Sequence, residues 1–119
     1  MLAQPSGAVR RGGYRGRVTS EVPTISAADV DDLRAQGWRL LDVRTDEEWA
    51  SGRIPGSLHV PMDQVVARME EIGDRTLVVC AVGGRSARVT QYLRAQGREA
   101  LNVEGGVHGW AAGGGPIEA

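Results

Sequence analysis

The chain has 119 residues and a formal net charge of -1 at pH 7, so it has the length of one domain and is too short for two. Hydrophobic residues make up 41% and charged residues 24%, which is typical of a globular protein. The small net charge gives no indication of binding to a nucleic acid or a membrane surface. All 14 basic residues are arginine, which excludes Schiff-base chemistry on a lysine, and the single cysteine excludes an internal disulfide or a multi-cysteine zinc site.

Residues 1–22 are predicted to be a flexible tail, or an arm on the surface of a domain that spans residues 23–119. They hold four arginines, no acidic residue before Glu21 and little apolar periodicity. The Arg/Gly segment at residues 11–17 is similar to RNA-binding segments, but one copy is a weak signal, and we favour a solvated tail without a nucleic-acid partner. The sequence has no apolar run long enough for a signal peptide or a membrane span, so we expect a cytoplasmic protein.

The domain begins with a predicted helix and a predicted strand. Ser26 and Asp29 form a plausible capping box for a helix that continues to Gln36, and Gly37 provides its stop. A short apolar run at residues 40–43 then predicts a buried strand that reaches the surface.

The middle of the domain contains a predicted helical turn at residues 47–50 and a predicted strand at residues 58–60. Apolar residues at helical spacing then predict a helix over residues 62–72. These residues are Met62, Val65, Val66, Met69 and Ile72.

The clearest strand covers residues 76–80, where a continuous apolar and β-branched run predicts burial on both faces. A glycine-rich loop leads to a helix over about residues 86–96. A last strand at residues 100–103 is followed by a short helix near Trp110. Regular alternation of this kind predicts an α/β domain with a mainly parallel sheet covered by helices.

Cys80 lies at the end of the predicted central strand, at the sheet edge where α/β proteins bind ligands. Six residues can wrap around its sulfur: Ala81, Val82, Gly83, Gly84, Arg85 and Ser86. The two glycines allow backbone N–H groups to converge on one atom, and a helix starting at Ser86 adds the positive end of its dipole. These features favour a thiolate, the nucleophilic form of cysteine, and would equally stabilise a persulfide. We expect this sulfur to face solvent.

Two questions about the loop stay open from the residues alone. Arg85 could neutralise an anionic donor, or it could hold the loop by pairing with a carboxylate. Cys80 could also be a small buried hydrophobic residue followed by an ordinary strand-to-helix turn. The glycines, Arg85 and Ser86 at one strand–loop–helix junction favour the chemical interpretation.

Three blocks of the sequence resemble the rhodanese homology family in its single-domain form. The segments LDVR at residues 41–44, EW at 48–49 and GRIPGS at 52–57 together resemble the family's first signature. The segment CAVGGRS at residues 80–86 resembles its active loop, and GGVHGW at 105–110 resembles its closing motif. The likeness covers roughly residues 24–112 in the right order and spacing. The family often has histidine where this chain has Arg53, which we expect to be a surface or hinge residue.

The resemblance implies a rhodanese-like three-layer α/β/α fold with a five-stranded mainly parallel sheet. It also implies transfer of a sulfane sulfur through an enzyme persulfide. By this resemblance, Cys80 corresponds to the family's nucleophile, and residues 81–86 correspond to the loop that binds the transferred sulfur. Asp42 and Arg44 fall on a pair near the active face, to which we assign support of the loop.

The expected reaction is a two-step sulfur transfer that needs no metal and no organic cofactor. The Cys80 thiolate takes the outer sulfur of an anionic donor such as thiosulfate, and the persulfide passes it to cyanide, a low-molecular-weight thiol or a protein. Polysulfide and persulfide donors are alternatives to thiosulfate. We expect a monomer or a weak homodimer.

Other functions of the same fold stay open. Phosphatases and arsenate reductases of this fold resemble one another in having five residues between the cysteine and the arginine of the active loop. Their loop is longer because a tetrahedral oxyanion needs more space than one sulfur atom. Here four residues separate Cys80 from Arg85, which favours sulfur. A regulatory binding module would have kept the fold without catalysis, and the intact cysteine argues against it. A persulfide carrier that delivers sulfur to one partner protein is a third alternative, intermediate between a sulfurtransferase enzyme and a non-catalytic binding module.

Overall fold

The computed structural model of the protein describes residues 22–119. The predicted tail or arm lies outside these residues except for Val22, so it stays a prediction. The strands of the described part are β1 Thr24–Ser26, β2 Arg39–Asp42, β3 Leu58–His59, β4 Arg75–Val79 and β5 Glu99–Glu104. Its α-helices are α1 Val30–Ala35, α2 Asp46–Ser51, α3 Gly84–Ala95 and α4 Gly106–Ala112.

The strands form one sheet in the order β1-β5-β4-β2-β3, and each neighbouring pair is parallel. Strand β4 lies at the centre between β5 and β2. Its residues Leu77, Val78 and Val79 are fully buried, which confirms the burial on both faces that the unbroken apolar run predicts. The chain leaves the carboxyl end of β4 at Cys80, so the loop that follows lies at the middle of the sheet edge.

Helices cover both faces of this sheet. Leu77 and Val79 of β4 belong to a hydrophobic cluster that also contains residues of α1 and α4. Val78 and Cys80 point the other way, into a cluster that contains residues of α3. The alternation along one strand therefore separates two cores, and the three-layer α/β/α fold is confirmed.

The start of the fold differs in detail from the prediction. Strand β1 was not predicted as a separate element, because its three residues run directly into the first helical turn. The Ser26 hydroxyl accepts a hydrogen bond from the Ala28 N–H at 3.0 Å, so it caps a 3-10 turn at Ala27–Asp29. Helix α1 follows this turn, and its residues Val30 and Leu33 are buried.

The predicted helix over residues 62–72 is wrong. The segment contains two 3-10 turns instead, and between them Arg68 has φ -116° and ψ 27°, outside the α-helical region. The adjacent β-branched residues Val65 and Val66 lower the helix propensity of the segment. Helical spacing misleads here because Val65 and Ile72 are buried while Val66 is 67% exposed.

Helices in the described part are all too short or too polar to cross a membrane.

Candidate active site

The Cys80 sulfur lies beneath the loop that follows β4. Its Sγ accepts a hydrogen bond from the Gly83 N–H at 3.1 Å and lies 3.3 Å from the Ser86 hydroxyl oxygen. The residue is only 1% exposed, so the expectation that its sulfur faces solvent is wrong. The alternation along β4 turns this side chain into the core on the α3 side. The loop still points backbone N–H groups at the sulfur. The Cys80 sulfur is therefore buried and at the same time surrounded by hydrogen-bond donors of the loop.

The surroundings of Cys80 act on its pKa in two directions. Burial has the largest single effect and raises the pKa, because it removes the thiolate from water. Hydrogen bonds from the Ser86 hydroxyl and from the backbone N–H groups of Ser86, Gly83 and Val82 lower it. Their sum exceeds the effect of burial, so the pKa of Cys80 is lowered and the thiolate is favoured.

The two loop glycines have different roles. Gly83 has φ +120° and ψ -11°, which L side chains rarely adopt, and this conformation directs its N–H at the sulfur. Gly84 is the first residue of α3, and a Cβ there would meet no heavy atom within 4 Å. The prediction that both glycines are needed for N–H groups to converge on the sulfur is therefore wrong for Gly84. Since α3 starts before Ser86, the Ser86 side chain is not a helix cap.

This difference makes the two glycines a matched pair for substitution. Gly83→Ala is expected to lower the free energy of unfolding by about 1–3 kcal/mol, because alanine is strained at that φ. Gly84→Ala is expected to leave it unchanged or to raise it by up to about 1 kcal/mol, because alanine fits this open, helical position and restricts the unfolded chain. Chemical denaturation of both variants measures the difference. Equal losses would contradict the assigned backbone roles.

Arg85 pairs with a carboxylate from α2. Its Nη1 and Nη2 donate to Glu48 Oε1 and Oε2 at 2.8 and 2.9 Å. The Arg85 hydrogen bond lowers the pKa of Glu48 to about 2, so this carboxylate is ionised at any pH near neutrality. The same hydrogen bond, with a smaller effect of the Cys80 thiolate, raises the pKa of Arg85. A positive charge is thus held close to the sulfur.

Asp42, the last residue of β2, forms a buried ion pair with Arg44, two residues further on. Arg44 Nη2 donates to Asp42 Oδ2 at 2.8 Å, and the side chains are 5% and 0% exposed. The same guanidinium donates to the carbonyl oxygens of Glu48 at 3.2 Å and Gly52 at 2.7 Å. These contacts tie the pair to α2, and Glu48 of α2 in turn holds Arg85. The predicted supporting pair therefore reaches the loop through one intermediate residue.

Helix α4 binds the start of the loop, a role that the sequence analysis missed. The backbone N–H groups of Val107 and His108 donate to the carbonyl oxygens of Cys80 and Ala81 at 2.8 and 3.1 Å. A Cβ on Gly106 would collide with the same two carbonyl groups, so this close approach requires glycine. The glycine pair of the closing motif is the available signal, but a glycine pair by itself indicates only a turn.

The surface around the loop is partly apolar and partly acidic. Val82 is 64% exposed and forms an apolar rim with the half-buried Ala81. A groove of about 550 Å³ adjoins the loop, and its charged lining residues are Asp46, Glu47, Asp63 and Arg85. Within residues 22–119, no group of three or more His, Cys, Asp or Glu side chains is arranged to hold a metal ion.

The site as a whole is a single cysteine, delivered by the central strand of a parallel sheet into a loop of hydrogen-bond donors. The sequence matches the Rhodanese-like domain family over residues 26–113. It is 40% identical over 105 residues to a sulfurtransferase of Allochromatium vinosum, covering 86% of this chain and 94% of that protein. It is 32% identical over 117 residues to a thiosulfate sulfurtransferase of Arabidopsis thaliana, covering 84% of this chain and 97% of that protein.

The structure gives the same result. A rhodanese-like domain protein from Staphylococcus aureus superposes with a TM-score of 0.71 at 37% identity, covering 82% of this chain and 99% of that chain. The chain therefore belongs to the rhodanese-like domain family. Its sulfurtransferase relatives support sulfur transfer in general as its activity.

Proposed function

We propose that this protein moves a sulfane sulfur from an anionic donor such as thiosulfate to a thiophilic acceptor through a persulfide on Cys80. The observation that carries the proposal is the convergence of the Gly83 N–H and the Ser86 hydroxyl on one sulfur atom. Donors fixed around a buried atom favour the thiolate. They also stabilise the negative charge when it moves to the outer sulfur of a persulfide.

The reaction has two balanced steps. The Cys80 thiolate attacks the outer sulfur of thiosulfate, a new sulfur–sulfur bond forms, and sulfite leaves with the electron pair of the bond that breaks. A nucleophilic acceptor such as cyanide then attacks the outer sulfur of the persulfide. This step forms thiocyanate and returns the thiolate, so the protein supplies no electrons and needs no oxidant.

The loop must open slightly for the first step, because Cys80 is 1% exposed and its sulfur must contact the donor. Arg85 is the charged residue of this loop, and its guanidinium is already paired with Glu48. We assign Arg85 to holding the loop closed around the sulfur and to supplying positive charge there. Asp42 and Arg44 support this contact by fixing the position of α2.

Steady-state kinetics with thiosulfate and cyanide test the proposed cycle. Because the acceptor reacts with a sulfur already on the protein, we expect a ping-pong pattern, with parallel double-reciprocal lines as thiosulfate and cyanide are varied. Sulfite release without cyanide should stop after about one equivalent per chain. Intersecting lines without this burst would contradict a persulfide intermediate. Cys80-dependent hydrolysis of an aryl phosphate would favour the phosphatase alternative.

One observation favours a second candidate, a persulfide carrier that takes sulfur from a less charged donor. The groove beside the loop has three carboxylates, Asp46, Glu47 and Asp63, and its single guanidinium, that of Arg85, is already paired with Glu48. A dianion is repelled by such a lining. If the carrier function is correct, a low-molecular-weight persulfide loads Cys80 much faster than thiosulfate, and added salt speeds loading from thiosulfate. Loading that is faster from thiosulfate than from the low-molecular-weight persulfide would exclude this candidate.

A further inference from the structure

The Ser86 hydroxyl lies among three polar atoms. Its oxygen is 3.3 Å from Cys80 Sγ, 3.2 Å from the Gly83 carbonyl oxygen and 2.6 Å from Asn102 Oδ1. Ser86 is fully buried and Asn102 is 7% exposed, so water does not replace these contacts freely. A hydroxyl has one proton to donate, and it cannot serve three acceptors at once.

The register of β5 places Asn102 at this point. Ala100 belongs to the core on the α3 side of the sheet, whereas Leu101 and Val103 belong to the opposite core. Asn102 follows the same alternation, so its side chain points to the α3 side, where Ser86 lies. It pairs with Val78, two residues before Cys80 on the neighbouring strand. The sequence pattern predicts Asn102 only as a residue of the last strand.

The protonation state of Cys80 decides what Ser86 must do. Beside a neutral thiol, the hydroxyl donates to Asn102 Oδ1, as the short distance of 2.6 Å indicates. Beside a thiolate, the proton is needed at Sγ, and Oδ1 would then face an oxygen lone pair at the same short distance. A half-turn of the amide about Cβ–Cγ resolves this conflict, because Nδ2 then donates to the Ser86 oxygen.

We propose that Asn102 is a positioning residue for the nucleophile, acting through Ser86. In the thiolate state its Nδ2–H donates to Ser86 Oγ, and the Ser86 O–H donates to Cys80 Sγ. In the thiol state the amide is turned and Oδ1 accepts from Ser86. The two hydrogen bonds in series polarise each other, so the hydroxyl becomes a stronger donor to the sulfur. The inference rests on the proposed function, because it concerns the same thiolate.

The test is a double-substitution cycle read through the pKa of Cys80, measured from the ultraviolet absorbance of the thiolate during pH titration with Cys80→Ser as the blank. Ser86→Ala is expected to raise this pKa by about one unit. Asn102→Leu, of similar volume, is expected to raise it by roughly half a unit, which means about threefold less thiolate at a pH below the pKa. In the Ser86→Ala background, Asn102→Leu should have no effect.

A pKa that Asn102→Leu leaves unchanged while Ser86 is present would overturn the inference. An equal shift in both backgrounds would also overturn it, because that result indicates altered packing. Thr76→Val is the matched control: it removes a buried hydroxyl that donates to Gly73 at the other end of β4, and it should leave the pKa of Cys80 unchanged. Asn102→Ala, taken through the same cycle, keeps the test available if the leucine variant fails to fold.

The titration does not depend on sulfur transfer, so the two proposals fail separately. The expected pattern of pKa values without any persulfide formation would refute the proposed function and leave the role of Asn102 standing. Persulfide formation without the expected pattern of pKa values would refute the role of Asn102 and leave the proposed function standing.

Discussion

Cys80→Ser is expected to lower sulfur transfer by more than about a thousandfold, because a serine hydroxyl is not ionised near neutral pH and forms no persulfide. Cys80 is the single cysteine of the chain, so no other thiol can take over the reaction. The fold should persist, since the hydroxyl is smaller than the thiol and the Gly83 N–H can donate to it. Sulfite release from thiosulfate measures the loss, and circular dichroism checks the fold.

A second substitution in the same region serves as the control for this result. Thr90→Val removes a buried hydroxyl of α3 that donates to the Ser86 carbonyl oxygen instead of to the sulfur. We expect it to keep most of the activity. If folded Cys80→Ser releases sulfite as fast as the unchanged protein, the chemistry proposed for this loop is incorrect.

Arg44→Met should produce the largest loss of stability, about 3–5 kcal/mol in the free energy of unfolding. It leaves the fully buried Asp42 carboxylate without its partner and removes the donor to the Glu48 and Gly52 carbonyl oxygens. Since native domains have only about 5–15 kcal/mol in total, the variant should be close to unfolding at room temperature. Urea denaturation measures the shift.

An exposed ion pair provides the matched control for this substitution. Arg68 also binds a carboxylate at 2.8 Å, that of Glu71, but these side chains are 32% and 39% exposed, against 5% and 0% for Arg44 and Asp42. Arg68→Met should therefore have little effect on the denaturation midpoint. Adding Asp42→Asn to Arg44→Met should recover part of the loss, because it removes the buried charge. Similar losses for Arg44→Met and Arg68→Met would show that burial of the pair is not what matters.

The sequence predicts the centre of this fold well, because burial leaves a local signal there. The unbroken apolar run at residues 76–80 gives both the central strand and the place where Cys80 leaves the sheet. The chain-order alternation of strands and helices gives the parallel sheet.

Other features depend on contacts between distant residues, which no local pattern encodes. Glu48 holds Arg85 from 37 positions away, and Asn102 meets Ser86 from 16 positions away. The approach of α4 to the loop explains Gly106, although the glycine alone suggests only a turn. The error over residues 62–72 has the opposite cause, since a local helical pattern was present and Arg68 interrupts it.

The persulfide on Cys80 can be tested directly by the intact mass of the protein after incubation with thiosulfate. We predict a gain equal to one sulfur atom on the unchanged chain, its removal by cyanide, and no gain on Cys80→Ser. A chain whose mass does not change while it releases sulfite would contradict sulfur transfer through this thiol.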